Sequence, residues 1–156
     1  MLRKDPDEKK DQYFMELALQ QAKVAATLGD IPVGAVLVHQ DNSITLGHNQ
    51  KEILNDPTAH AEIITIRKAA EQIRTWRLIN TTLYVTLEPC CMCIGAIIQA
   101  RITRLVFGAA DPKSGACGSL MNIPHERRLN HHVMVTQGIL EQPCGEILTS
   151  FFQYRR

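Results

Sequence analysis

Two short motifs constrain this chain more than any other feature: His60-Ala61-Glu62 and, about one helix and one strand further on, Pro89-Cys90-Cys91-Met92-Cys93. Together they offer one imidazole and two thiolates to a metal, plus a carboxylate that need not bind it. A fold that uses them must return residue 60 to the side of residues 90 and 93. Three protein ligands leave a tetrahedral zinc with one open position, which separates a site that activates water from a closed structural one. That asymmetry points to catalysis.

The remaining composition narrows the setting. The 156 residues, 45% of them apolar, fit one compact domain with a core that needs no staples. Residues 1–12 read as a charged extension and residues 13–156 as a single domain. No apolar run approaches the roughly 18 residues of a membrane span, so the expectation is a soluble, cytoplasmic chain with no membrane partner. Five cysteines, three of them crowded into Cys90, Cys91 and Cys93, suit a metal better than a disulfide framework. Cys117 and Cys144 read as small buried or loop thiols. A net charge of +1 argues against a strongly basic coat but leaves room for a local basic face.

Phe14, Leu17, Ala18, Ala25 and Leu28 fall near one helical stripe that Gly29 and Pro32 close. Val33 to His39 and Ile44 to Asn49 flank the polar turn Gln40-Asp41-Asn42-Ser43, which predicts an antiparallel hairpin. Asp56-Pro57-Thr58 supplies a cap and a helix-starting proline, with Ile63, Ile66, Ala70 and Ile73 repeating on one face beyond it. Leu83 to Leu87, a helix started by Pro89, and Leu105-Val106-Phe107 form a β-α-β unit whose strands should be parallel. Residues 108–132 read as a long loop with one short helical turn, of the length that is usually functional. Val133 to Val135 suggest a last strand, and residues 138–154 a helix interrupted at Pro143. The sum is an α/β fold with a mixed sheet and helices packed against it.

Cys90 and Cys93 are three apart in a first helical turn, so both sulfurs face one side, and His60 opens a neighbouring helix. Two helix N-termini and a dication would favour the thiolates. Glu62 is the candidate proton shuttle. A zinc-bound water with its pKa brought towards roughly 7 yields a hydroxide that attacks a ring carbon bearing an amino group, while Glu62 moves the protons. The competing reading is a structural zinc with Cys91 as fourth ligand, although its place beside Cys90 turns it to another helix face, where packing is the expected role.

With those motifs in view, the chain resembles the bacterial tRNA-specific adenosine deaminases of the cytidine deaminase superfamily. Ile31 to Val38, Asp56 to Glu62, Leu83 to Cys90 and Gly115 to Met121 carry the likeness, which runs from about Tyr13 to Arg156. The resemblance implies a three-layer α/β/α fold on a five-stranded mixed sheet. It implies conversion of adenosine to inosine at wobble position 34 of tRNA anticodons, with attack at C6 of adenine, one zinc per subunit, no nucleotide cofactor and a homodimer. It also implies that Asn49 contacts substrate, that Val33, Ala61 and Leu87 line the pocket, and that Asp111, Lys113 and Ser114 meet the anticodon nucleotides. Phe152, Arg155 and Arg156 would touch the anticodon stem-loop, while Phe151 suits the core. An RNA loop whose target base leaves its stack is the substrate form such a buried site requires.

Read as residues only, Asn49 is a turn amide, Val33, Ala61 and Leu87 are core, and the Asp111 loop is a solvated turn. Arg101, Arg104, Arg127 and Arg128 read as surface charges, and the histidines other than His60 as surface or structural. Three positions depart from the family pattern: His48 where tryptophan is frequent, Ala110 where arginine is common, and Cys91 where an aliphatic residue is usual. The alternatives are a free nucleoside or base deaminase, of cytidine or guanine type, and a catalytically idle RNA-binding subunit. The loop from Asp111 to Met121 with the C-terminal arginines opposes the first, and Glu62 the second.

Overall fold

β1 (Gly34–His39), β3 (Thr81–Leu87) and β4 (Arg104–Ala109) carry apolar runs at their centres and are buried along most of their length, as strands covered on both faces are. A computed structural model describes residues 6–155 of the chain and places these three at the centre of a five-stranded sheet in the order β2-β1-β3-β4-β5. The outer strands are β2 (Ile44–His48) and β5 (Met134–Gln137). β1 pairs antiparallel with β2 and with β3, whereas β3–β4 and β4–β5 are parallel. The helices are α1 (Pro6–Thr27), α2 (Lys51–Leu54), α3 (Ala61–Ile73), α4 (Cys91–Gln99) and α5 (Glu141–Tyr154), with one 3-10 turn, Ile123–His125. No described helix is long and apolar enough to cross a membrane.

Strand alternation divides the interior in two. Ala35, Leu37, Leu83, Val85, Leu105 and Phe107 face α3 and α4, whose Ala61, Ala69, Ile94 and Ile97 complete that core. Val36, Val38, Tyr84 and Val106 face the opposite layer, with Phe14, Met15 and Ala18 of α1 and Cys144 of α5. The α/β/α layering follows from this alternation.

Close approach in the α1 layer depends on small residues. Ala18, Ala22 and Ala25 are fully buried, and a Cβ at Gly34 would land on the Ala18 carbonyl oxygen and the Ala22 nitrogen. Gly34→Ala should therefore cost about 3 kcal/mol, because helix backbone has to move. Urea unfolding checks this, and a loss below about 1 kcal/mol would mean that α1 can slide away from β1. At the other end of α1, Asp11 accepts both Arg104 guanidinium nitrogens (2.8 and 2.7 Å) and the Tyr84 hydroxyl (2.8 Å). Burial first, and then the bond to Asp11, push the Tyr84 hydroxyl well above its usual range. Arg104 thus ties α1 to β3 and β4 rather than sitting on the surface.

Several local expectations shift. The first helix ends at Thr27, and Leu28 is exposed because the turn to Gly29 rotates it outward. Asp56 does not cap α3; its carboxylate holds the Thr58 N–H and hydroxyl in a turn, and His60 is the N-cap. The buried residues of α3 are Ala61, Glu62, Ile64, Thr65 and Ala69, with Thr65 packing where Gly47 of β2 lacks a side chain, while Ile66, Ala70 and Ile73 of the expected stripe are half-buried against the same core. α4 starts at Cys91, two residues beyond Pro89, with Cys90 as its N-cap. α5 runs unbroken through Pro143, whose absent N–H falls in the first turn, where no intrahelical partner exists. The four-residue α2 carried no periodic signal.

Candidate active site

The site lies where β3 and β4 end and where α3 and α4 begin. His60 and Cys90 are the N-cap residues of the two helices, both in extended conformation, and Cys93 sits in the first turn of α4. A cap residue points its side chain across the open helix end, so two helix N-termini aim at one point. His60 Nδ1 lies 3.8 Å from Cys90 Sγ and 3.5 Å from Cys93 Sγ, and the three ligand atoms lie within 4.8 Å of one another. Tetrahedral zinc, with Zn–N about 2.0 Å and Zn–S about 2.3 Å, separates N and S ligands by about 3.6 Å. The observed spacing fits a single zinc ion, and no other such cluster occurs among the described residues.

The charges of these groups are coupled. A hydrogen bond from Cys93 is the largest cause lowering the Cys90 thiol, which falls to about 4. The same bond, together with burial, pushes Cys93 far up, and the hydrogen bond to Cys90 raises His60. One thiolate therefore forms readily, and a dication is what would draw the proton from the second. Cys91 is exposed and belongs to neither the ligand cluster nor a hydrophobic core, which corrects the packing role expected for it within this chain. Burial pushes the Cys117 and Cys144 thiols up to about 12.

Glu62 follows His60 by two residues in the first turn of α3 and is 4% exposed. Burial pushes its carboxyl up, opposed by hydrogen bonds from its own backbone N–H and the Cys93 thiol. A carboxyl moved towards neutrality is suited to both accepting and returning a proton.

A cleft of about 580 Å³ opens over these residues. Val33, Asn49 and Leu87 line its depth, and Asp111, Lys113, Ser114 and Phe152 its rim. Ala61 is wholly buried and does not line it; its N–H donates to Asn49 Oδ1 at 2.7 Å. That bond satisfies a free donor of α3 and engages the amide oxygen of Asn49, a residue that lines the cleft. His48 Nδ1 lies 3.0 Å from the Asn49 carbonyl oxygen, so the histidine at this unusual position helps hold the asparagine. Asp111 accepts the Lys113 and Ser114 N–H groups (3.0 and 3.2 Å) and the Ser114 hydroxyl (2.7 Å), which preforms the rim turn. Arg155 lies outside the cleft, stacked on Phe151 and bonded to the Gly29 carbonyl, and Arg156 lies outside the described residues.

Sequence reasoning passed over Lys51, Leu148 and Glu88, which also line the cleft. Lys51 and Leu148 lie on helices that bear no motif. Glu88 did carry a signal, an acidic residue set between an apolar strand and the ligand motif.

Comparison with known proteins agrees with this geometry. The family described as the cytidine and deoxycytidylate deaminase zinc-binding region matches residues 8–109. A tRNA-specific adenosine deaminase of Haemophilus influenzae is 52% identical over 147 residues, 94% of this chain and 85% of that protein. That of Bacillus subtilis is 46% identical over 146 residues, covering 94% and 91%. A solved chain from studies of A-to-I editing by tRNA:A34 deaminases at the wobble position of transfer RNA superimposes with a TM-score of 0.84. It is 46% identical, and the match covers 87% of this chain and 99% of that one. Similarity at this level over nearly the whole chain means that it belongs to the cytidine and deoxycytidylate deaminase family, among the tRNA-specific adenosine deaminases.

Proposed function

We propose that the chain converts adenosine to inosine at wobble position 34 of tRNA anticodons. The observation that carries the chemistry is three converging metal ligands beside a buried carboxylate on the floor of an open cleft. The relatives supply the substrate class. His60, Cys90 and Cys93 hold one zinc per chain, which when bound makes a water nucleophilic near neutral pH. Glu62 would take that water's proton and pass it to the ring nitrogen beside C6, then take the proton of the new C6 hydroxyl and give it to the departing amine, leaving the C6 carbonyl. Adenosine and water thus become inosine and ammonia. The Asn49 amide nitrogen donates to the nucleoside, and Val33 and Leu87 hold the base between apolar surfaces. Asp111, Lys113, Ser114 and Phe152 meet the flanking nucleotides, and Arg155 and Arg156 the stem, while Ala61 acts through its backbone.

The chain acts as one domain in a cytoplasmic homodimer, and because α1 starts at Pro6 and Asp11 is buried against Arg104 and Tyr84, that domain reaches into the 1–12 stretch read from the sequence as an extension. The dimer reading is supported by the outward side of α4, where Cys91, Met92, Gly95 and Ala96 are only half-buried or exposed although the helix is strongly apolar.

The test is incubation of the zinc-loaded protein with a tRNA bearing adenosine at position 34, followed by digestion and mass spectrometry for inosine. Inosine at that nucleotide is expected, and its absence would move the reading to a free nucleoside or base. Asn49 offers a finer check. Asn49→Asp keeps the acceptor for Ala61 and loses the donor, so stability should hold while KM rises about tenfold or more, the value of a lost hydrogen bond in a buried site. Unchanged steady-state kinetics would remove Asn49 from the substrate contacts.

A further inference from the structure

The loop that forms one wall of the cleft, residues 110–122, contains no helix or strand, yet it is tightly held at one point. That point is the Glu88 carboxylate, 3% exposed. Oε1 accepts the Asp111 N–H (3.1 Å) and the Ser119 hydroxyl (2.5 Å), while Oε2 accepts the Cys117 (3.0 Å) and Ser119 (3.1 Å) N–H groups. Burial pushes this carboxyl up, but the bonds from Ser119, Asp111 and Cys117 outweigh it and hold the group below its usual range. The loop closes around it: a Cβ at Gly115 would coincide with the Glu88 carboxylate and press on the Asp111 carbonyl oxygen. Beside it the Pro89 carbonyl accepts the Ala116 N–H (2.9 Å), and Cys90 forms a β-bridge with Gly115.

We infer that Glu88 is a positioning residue for substrate: through Asp111, Cys117 and Ser119 it fixes the distance between the RNA-facing loop and the metal ligand two residues away, with Gly115 as the residue that leaves it room. The bonds reach both ends of the loop and start from the peptide that delivers Cys90. The loop wall of the cleft and the metal ligand at its floor are thereby referred to one carboxylate. Glu88 touches neither a ligand atom nor Glu62 through any bond seen here, so its action falls on how substrate is held and not on proton transfer. A glutamine there would turn an N–H₂ donor against two of the N–H and O–H groups that the carboxylate now accepts.

This inference rests on the tRNA reading, so the experiment separates the two. Steady-state kinetics on an anticodon stem-loop RNA with adenosine at position 34, zinc content, and amide hydrogen exchange are measured for wild type, Glu88→Gln, Gly115→Ala, their double variant and Ser119→Ala. Glu88→Gln and Gly115→Ala should each raise KM about tenfold or more, as expected for losing bonds to a charged group. They should keep kcat within about threefold and retain zinc, while exchange accelerates at Cys117 and Ser119 and stays slow in α4. The double variant should be no worse than either single one, because both remove the same cradle. KM unchanged in Glu88→Gln, or a fall in kcat at constant KM, overturns the assignment, as do multiplying effects in the double variant. Should both large changes prevent folding, Ser119→Ala decides, with KM raised about threefold expected for one of the four bonds and an unchanged KM overturning it. If the wild type makes no inosine, the tRNA reading falls, while loop exchange in Glu88→Gln still judges the brace.

Discussion

Glu62→Gln should hold its zinc, fold as well as the wild type and make inosine about a thousandfold more slowly or worse. The substitution changes no shape, and it keeps a hydrogen-bonding group in the first turn of α3. What disappears is a group that can accept a proton and return it, a contribution worth about 10² to 10⁴ in rate for a single positioned acid–base residue. Glu62 is asked to act both on the water and on the leaving amine, which places the expectation in the upper part of that range. Stability should not fall, because a buried carboxyl is exchanged for a neutral amide of the same size. Single-turnover formation of inosine, with zinc content and thermal midpoint measured on the same preparation, checks all three statements. Turnover within tenfold of wild type, with zinc present, would take the proton shuttle away from Glu62.

Cys93→Ala should show the opposite pattern, losing zinc and stability together with activity. Cys93 is fully buried in the first turn of α4 and is one of the three ligands that converge among the described residues. Metal that binds the folded chain alone stabilises it by about 4 kcal/mol when free zinc is a thousandfold above Kd, and that contribution is lost with the ligand. The removed sulfur adds a small cavity cost. A chelator should bring wild type down towards the variant and leave the variant itself unmoved in urea unfolding. A Cys93→Ala protein that still carries zinc and still responds to chelator would mean that the ligand set is misassigned.

The metal centre was legible because its chemistry is written in residue type and spacing. Few patterns other than a ligand set place a histidine before one helix and cysteines three apart at the start of the next. The sheet was legible for a related reason, since Leu83 to Leu87 and Leu105 to Phe107 are too apolar to be anything but covered strands. Helix starts were less so. Asp56-Pro57-Thr58 has the residue types of a cap, yet the turn there satisfies its own donors locally, and the helix waits for His60. Arg104 looks like any surface arginine until α1 brings Asp11 to it from 93 positions away. Glu88 stands out as an acidic residue between a strand and the ligand motif, but its role does not, because its partners lie 23 to 31 residues on in a loop with no periodic pattern.

The sheet that separates two cores also divides the work of holding the molecule together. Zinc would be gripped wholly within the α3–α4 layer, whereas the cleft is walled on its far side by Leu148, Thr149 and Phe152 of α5. α5 is anchored in the opposite layer through Cys144 against Gly108. Metal would therefore be a staple on one side of the sheet, and a bound RNA a strap across its edge. Stripping zinc should loosen α3 and α4 before α1, and adding RNA should quiet α5.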